Sequence, residues 1–211
     1  ERAVATNEKI MVYGDYDVDG TTAVALVYKF LRQIGHKNLV FYIPDRYNDG
    51  YGISVKGIDY AARKGVTLAI ALDCGIKAVE KVVYAKEKGV DFIICDHHLP
   101  AEDIPAAVAV LDPKRTDCNY PFDELSGCGV GFKLVQAYAA KHGIPFSDIE
   151  HLLDLLVVSI ASDIVPLTGE NRILAYYGLE RLNRMPSSGL LSIIKICGLD
   201  RHNITIDDIV F

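Results

Sequence analysis

Short apolar runs constrain this chain more than any other feature of its sequence. Five runs of four or five residues, rich in Val and Ile, are mostly continuous rather than alternating: residues 10–13, 39–43, 68–72, 92–95 and 108–111. Continuous apolar runs of this length are typical of strands that are covered on both faces. They predict a sheet that lies buried between two layers of helices.

Helical patterns separate the first four runs. They cover residues 21–34, 54–64 and 78–88, and a glycine follows each of them, where a C-terminal helix cap would lie. Strands that alternate with helices predict an α/β fold: a doubly wound, mainly parallel five-stranded sheet with helices on both faces.

The pattern changes after Gly129. Only helices are predicted from there on, at residues 130–142, 151–162, 171–183 and 190–196. We therefore predict an α/β catalytic core in residues 1–145 and a helical connector in residues 146–211. Because the sequence opens without Met and stops on an apolar run, we expect it to be a piece of a longer protein with a further C-terminal domain.

Composition excludes several classes of protein. The longest apolar stretch, residues 152–161, is interrupted by Asp154 and Ser159, which argues against a membrane segment. Five cysteines without a CxxC pair favour reduced thiols and a cytoplasmic location. A formal charge of −6 argues against a protein that binds nucleic acid over its whole surface.

Three predicted strands run directly into aspartates, at Asp15, Asp73 and Asp96. A single aspartate at a strand end is most simply read as a helix N-cap. Ligands of parallel sheets, however, bind beyond the carboxyl ends of the strands, where three such side chains would meet. The repetition predicts a shared acidic crevice.

The first of these aspartates opens an acidic cluster that resembles a calcium-binding EF-hand loop. That alternative fails because Leu26 occupies the twelfth position, where a bidentate Glu is needed. If the chain stays extended, Asp15 and Asp17 point to the same side. Asp19 is predicted to be a turn or cap residue before a helix that begins at Thr21.

Imidazole groups accompany the carboxylates after the fourth strand, at His97 and His98. Asp163 follows a predicted helix, where a carboxylate meets the unfavourable end of the helix dipole and needs a compensating cation. Carboxylates with one or two imidazoles and no thiolate suit manganese or magnesium better than zinc.

Taken in order, these segments resemble the signature of the DHH phosphoesterase family. The matching motifs are Gly14-Asp15-Tyr16-Asp17-Val18-Asp19-Gly20, Leu72-Asp73-Cys74-Gly75, Asp96-His97-His98 and Ser162-Asp163. Three further segments resemble the RecJ-like branch of that family: Ile43-Pro44-Asp45-Arg46 with Gly50-Tyr51-Gly52, residues 126–134 and residues 161–167.

The resemblance implies a site for two Mn²⁺ or Mg²⁺ ions. Asp17, Asp73, His97 and Asp163 would hold one ion. Asp15, Asp17 and Asp73 would contribute to the second. Asp17 and Asp73 would therefore bridge the two ions, which together would activate a water for attack on phosphorus.

Further roles are implied around these ligands. His98 would face the scissile phosphate as a hydrogen-bond donor. Arg46 is a candidate phosphate clamp or a plain surface arginine, and the N–H groups of Gly127 and Gly129 either bind phosphate or make a tight turn. Tyr13 departs from the family pattern, since many RecJ-like proteins carry a histidine ligand there.

The implied function is a metal-dependent phosphodiesterase, specifically a 5′-to-3′ exonuclease on single-stranded DNA. A helicase or a single-strand-binding protein would join through regions outside this sequence. Two alternatives stay open: a hydrolase of short oligonucleotides or cyclic dinucleotides, and a non-catalytic module that binds metal or nucleotide.

Overall fold

A computed structural model describes residues 1–210 and contains a five-stranded sheet in which all neighbouring strands are parallel. The strands are β1 (Ile10–Gly14), β2 (Leu39–Tyr42), β3 (Leu68–Leu72), β4 (Asp91–Cys95) and β5 (Ala109–Leu111). Their spatial order is β2-β1-β3-β4-β5. The predicted fold class is thereby confirmed.

Nine helices accompany the sheet in the described residues. They are α1 (Arg2–Ala5), α2 (Val18–Gln33), α3 (Val55–Arg63), α4 (Val79–Glu87), α5 (Gly127–Lys141), α6 (Leu153–Ser162), α7 (Gly169–Arg184), α8 (Ser188–Ile196) and α9 (Ile206–Val210). Four of them (α2, α5, α7 and α8) begin two or three residues earlier than predicted, and side-chain caps account for the first two. Asp17 accepts from Gly20 N at the start of α2, and Ser126 accepts from Gly129 N at the start of α5.

Helices cover both faces of the sheet, as the continuous apolar runs predict. Val12 and Leu72 share one buried cluster with residues of α2, α5 and α6. Met11 and Ala71 point to the opposite face, where they share a second cluster with residues of α3 and α4. Consecutive strand residues thus pack into different layers, which is why the runs do not alternate with polar residues.

The core does not divide at residue 145. Leu156 of α6, Leu182 of α7 and Ile204 belong to the same buried cluster as the sheet residues. The sheet and the later helices thus share one core. The division into a catalytic core and a connector stays a prediction. Within residues 1–210, no helix has the length and apolar character needed to cross a membrane.

The strand order places a switch point between β1 and β3, because β2 lies on one side of them and β4 and β5 on the other. Crevices at such points are the usual binding sites of doubly wound sheets. The turn after β1 is tightly packed: a Cβ on Gly14 would lie 2.7 Å from Gly20 O, and one on Gly20 would lie 2.6 Å from Asp15 N. These two glycines let α2 begin directly against the strand end.

Candidate metal centre

One imidazole nitrogen gathers three carboxylates at the carboxyl edge of the sheet. His97 Nε2 lies 3.2 Å from Asp73 Oδ1, 3.6 Å from Asp163 Oδ2 and 3.7 Å from Asp19 Oδ2. These residues come from the ends of β3 and β4, from α2 and from the C-terminus of α6. The structure therefore brings together residues that lie up to 144 positions apart, counting from 19 to 163.

Several buried polar atoms at this point have no hydrogen-bond partner among the described residues. They are Asp15 Oδ2, Asp73 Oδ1 and both ring nitrogens of His97. Buried polar atoms are rarely left unpaired, since each costs about 1–3 kcal/mol. Ligand atoms of Asp73, His97 and His98 lie within 4.8 Å of one another, as do those of Asp19, His97 and Asp163. This oxygen-rich donor set fits a divalent cation such as Mn²⁺ or Mg²⁺.

The carboxyl group of Asp73 is strongly perturbed. Burial, followed by the negative charges of Asp19 and Asp17, raises its pKa to about 11. Its backbone has a φ of 59°, a left-handed conformation that is uncommon for non-glycine residues. Gly127 packs so close that a Cβ there would lie 2.5 Å from Asp73 Oδ1. Strain and charge repulsion are both expected where a bound cation compensates them.

Asp15 and Asp17 border the cluster without joining either close group. Asp15 is buried, and burial raises the pKa of its carboxyl group. Its Oδ1 accepts a long hydrogen bond of 3.3 Å from Gly52 N. Asp17 caps α2 through Oδ1, which accepts from Gly20 N at 2.8 Å. The bridging role implied for Asp17 stays a prediction.

The predicted role of Asp19 as a turn or cap residue is wrong. Asp19 lies inside α2 with 2% of its surface exposed. Its carboxylate accepts from Gly127 N at 2.6 Å, Cys128 N at 2.8 Å and Ser159 Oγ at 2.7 Å. Burial raises its pKa, although the proximity of His97 acts in the opposite direction. Asp19 therefore ties α2 to α5 and α6, while its Oδ2 belongs to the cluster, 3.7 Å from His97 Nε2.

The same contacts decide between the two interpretations of the glycines at the start of α5. The N–H of Gly127 is donated to Asp19, and that of Gly129 to Ser126 Oγ at 3.1 Å. Neither group is left to bind a phosphate. These contacts favour the tight-packing alternative for Gly127 and Gly129, and a phosphate contact there stays a prediction.

Asp96 organises the histidine pair. Its Oδ1 accepts from His97 N at 2.8 Å and from His98 N at 3.2 Å, and lies 2.7 Å from His98 Nδ1, while Oδ2 accepts from Ile76 N at 2.8 Å. Burial acts to raise the pKa of Asp96, but the hydrogen bonds with His98 and Ile76 bring it below its ordinary value. The hydrogen bond with Asp96 in turn raises the pKa of His98. Asp96 is a fully bonded carboxylate that positions the imidazoles.

An aromatic group lines the open side of the site. Tyr51 Oη lies 3.0 Å from His98 Nε2. The Tyr51 ring meets Tyr16 edge to face, and the exposed guanidinium of Arg46 lies 4.6 Å from the centroid of Tyr16. Sequence reasoning predicted Arg46 but missed the two tyrosines; their only signal is their position beside the glycines and aspartates of the motifs.

Tyr13 does not replace the absent histidine as a ligand. It is fully buried and stacks on Tyr42 with 5.3 Å between the ring centroids. Its hydroxyl donates to Gly52 O at 2.8 Å and accepts from Ser54 N at 3.1 Å. Tyr13 therefore holds the loop between β2 and α3, and its departure from the family pattern leaves the second metal position without the histidine ligand of many RecJ-like proteins.

Comparison with known proteins agrees with this geometry. The description "DHH family, N-terminal domain" matches residues 9–160. The chain is 42% identical over 200 residues to the single-stranded-DNA-specific exonuclease RecJ of Bacillus subtilis, covering 95% of this chain and 25% of that protein. It is 33% identical over 213 residues to the protein of the same name from Escherichia coli, covering 96% and 37%.

Solved structures show the same relationship. A crystal structure of exonuclease RecJ bound to manganese superposes with a TM-score of 0.88 at 29% identity, over 100% of this chain and 52% of that one. A structure of RecJ in complex with Mn²⁺ from Thermus thermophilus gives a TM-score of 0.82 at 27% identity, over 100% and 29%. This chain spans between a quarter and two fifths of the length of the two curated relatives.

Proposed function

The chain belongs to the DHH family, and we propose that it hydrolyses phosphodiester bonds of single-stranded DNA as a metal-dependent exonuclease. The observation that carries the proposal is the meeting of His97 with three carboxylates, where buried oxygens of Asp15 and Asp73 accept no hydrogen bond. The names of the relatives supply the substrate. The 5′-to-3′ polarity is proposed from the same resemblance.

The residues proposed to hold two Mn²⁺ or Mg²⁺ ions are Asp15, Asp17, Asp73, His97 and Asp163. Such ions, when bound, lower the pKa of a water and neutralise charge on a phosphoryl group. The relatives with known structures bound manganese, which agrees with this donor set. The protein contributes a rigid arrangement, because the ligands leave the ends of a sheet and of packed helices.

The other residues act on the substrate. His98, with 41% of its side chain exposed, is held by Asp96 at the rim of the cluster, where it can donate to the scissile phosphate. Arg46 lies on the Tyr16 ring at the same rim, and its planar guanidinium can bind two phosphate oxygens. Together they would orient the phosphodiester against the acidic cluster.

Strong binding to long DNA is proposed to come from other parts of the protein. The chain has 22 Lys and Arg against 28 Asp and Glu, whereas non-specific DNA affinity arises mainly from cation–phosphate contacts. A cytoplasmic location is proposed from the five cysteines that lack a CxxC pair. Partners such as a helicase or a single-strand-binding protein are proposed from the resemblance to RecJ.

The proposal is tested with the purified protein, Mn²⁺ and three substrates: a 5′-labelled single strand, the matching duplex and a cyclic dinucleotide. We expect stepwise degradation of the single strand from its 5′ end and loss of that activity in Asp73→Asn. Asp123→Ala, at an exposed position, serves as the control. Cleavage of the dinucleotide alone would favour the small-substrate alternative, and metal binding without any hydrolysis would favour a non-catalytic module.

A further inference from the structure

Three residues form a hydrogen-bonded row beside the metal centre. Asp96 Oδ1 lies 2.7 Å from His98 Nδ1, and His98 Nε2 lies 3.0 Å from Tyr51 Oη. An ionised carboxylate only accepts hydrogen bonds, so Nδ1 of His98 carries the hydrogen of the first contact. Both nitrogens of the ring are thus engaged, one by each neighbour.

The two neighbours differ in where they come from. Asp96 belongs to the same strand end as His98 and also accepts from the backbone of His97 and His98. Tyr51 comes from the loop between β2 and α3, 47 residues earlier in the chain. Asp96 anchors the base of the ring, whereas Tyr51 holds the edge that faces away from the strand.

The loop is built to keep Tyr51 in place. Gly50 and Gly52 flank it with φ angles of 78° and 75°, in the left-handed region that favours glycine. The N–H of Gly52 is donated to Asp15, and its carbonyl accepts from the buried hydroxyl of Tyr13. The residue beside Tyr51 is therefore fixed to the end of β1 on both sides.

The ring of His98 is otherwise lightly held. Its side chain is 41% exposed. Besides Asp96 and Tyr51, the ring packs edge to face against His97, with 4.6 Å between the ring centroids. Burial, followed by the charges of Asp73 and Asp96, raises the pKa of the Tyr51 phenol well above its ordinary value. The hydroxyl thus keeps its proton beside the imidazole.

We propose that Tyr51 is a positioning residue: before substrate binds, its hydroxyl fixes the orientation of the His98 ring, so that Nε2 lies at the edge of the cluster and exchanges Tyr51 for the substrate phosphate when that arrives. This inference rests on the proposed phosphodiesterase function. Tyr51 acts through His98 and not as a ligand of the metal. Partners that orient a functional imidazole typically affect activity by about 10–100-fold.

The first test needs neither metal nor substrate. Nitrogen-15 NMR of the metal-free protein reports the hydrogen bonding of each ring nitrogen of His98. In Tyr51→Phe, which keeps the aromatic ring and loses only the hydroxyl, we expect the Nε2 resonance to shift and broaden while Nδ1 changes little. Tyr47→Phe is the matched control, since Tyr47 lies in the same loop and is 91% exposed.

The second test uses hydrolysis of a single-stranded oligonucleotide. Tyr51→Phe should lower kcat about tenfold with KM nearly unchanged, and calorimetric affinity for Mn²⁺ should stay the same. In a His98→Asn background the same substitution should have little further effect, because the residue it positions is gone.

The outcomes separate the two proposals. An unchanged Nε2 resonance, an unchanged kcat, or an equal loss of kcat with and without His98 overturns the role of Tyr51. If the NMR shift occurs but the unsubstituted protein hydrolyses no single strand, the orientation of His98 by Tyr51 stands and the proposed function fails.

Discussion

The metal centre has two halves that handle buried negative charge in opposite ways. At the back of the cluster, Asp19 has its Oδ2 3.7 Å from His97 Nε2 and is held by three donors from α5 and α6. In front of it, Asp15 and Asp73 each keep a buried oxygen that accepts no hydrogen bond. All three carboxyl groups are almost fully buried, with 0–2% exposed. Burial alone therefore does not distinguish these carboxyl groups, whereas the hydrogen bonds that they accept do.

This difference assigns separate tasks to residues of one motif. A carboxylate whose acceptor sites are filled by N–H and O–H groups contributes to stability and geometry. A buried carboxylate with an oxygen that accepts no hydrogen bond destabilises the metal-free fold. Its burial becomes favourable when a cation binds to that oxygen. Substitutions on the two sides should consequently separate activity from stability.

The largest effect is expected from Asp73→Asn. We expect hydrolysis to fall about a thousandfold or more, because the variant loses a charged ligand at the centre of the cluster. Asparagine tolerates the left-handed backbone at this position, so the fold should persist. Without metal, the free energy of unfolding should be equal or higher, since repulsion with Asp19 and Asp17 is relieved.

Initial rates and urea unfolding in a chelator measure the two effects. Substantial residual hydrolysis would show that Asp73 is not a shared ligand. A large loss of stability in the chelator would show that its oxygen is satisfied in the native protein, and the distinction between the two halves would collapse.

The reverse result is expected for Asp19→Ala. Three buried donors lose their acceptor, at about 1–3 kcal/mol each, so unfolding free energy should fall by several kcal/mol. Asp17→Ala removes an N-cap of the same helix and should cost about 1 kcal/mol. Similar losses for the two variants in urea unfolding would mean that Asp19 does not hold α5 and α6 against α2.

The contrast also shows what sequence could predict. Apolar runs and glycine caps predicted all five strands and the parallel sheet, because strand formation and helix ends depend on local composition. Aspartates at strand ends predicted the location of the centre, since the carboxyl ends of parallel strands meet at one edge. The convergence of Asp73 and His97 follows from that rule.

The tasks of individual residues needed tertiary contacts. Asp19 resembles a cap in sequence, and only the packing of α5 and α6 provides its three donors. Tyr13 occupies a position where a ligand was expected, but its side chain enters the core on the face covered by α3. No local pattern carries either fact, because both depend on segments 39 to 140 residues away.

A smaller effect is expected where the two halves touch. Gly127→Ala would place a Cβ 2.5 Å from Asp73 Oδ1, so Asp73 must shift, and we expect Mn²⁺ affinity to fall about 10–100-fold. Gly129→Ala, with its nearest contact at 3.3 Å, should have a weaker effect. Gly189→Ala, with nothing within 4 Å, is the control. Calorimetric titration with Mn²⁺ should rank them in this order; equal affinities would show that Asp73 is not held by α5.

The smallest effect concerns pH in the absence of metal. The pKa values of Asp15, Asp73 and Asp163 are raised, mainly by burial, and that of Asp73 reaches about 11. The native protein then binds more protons than the unfolded chain, so its stability decreases as pH rises above about 4, the ordinary aspartate value, towards the raised values. Asp96, whose pKa is lowered, acts oppositely and loses its contribution only in acid.

Melting temperatures from about pH 5 to about pH 9 should therefore decline in a chelator. Saturating Mn²⁺ should flatten the decline, because a cation that binds only the native state replaces the protons. Asp73→Asn should flatten it without metal, whereas Asp123→Ala, at an exposed position, should keep the slope of the unsubstituted protein. Parallel curves for all samples would mean that the carboxylates at the front of the cluster do not repel one another. Their charges would then be compensated as well as that of Asp19 at the back.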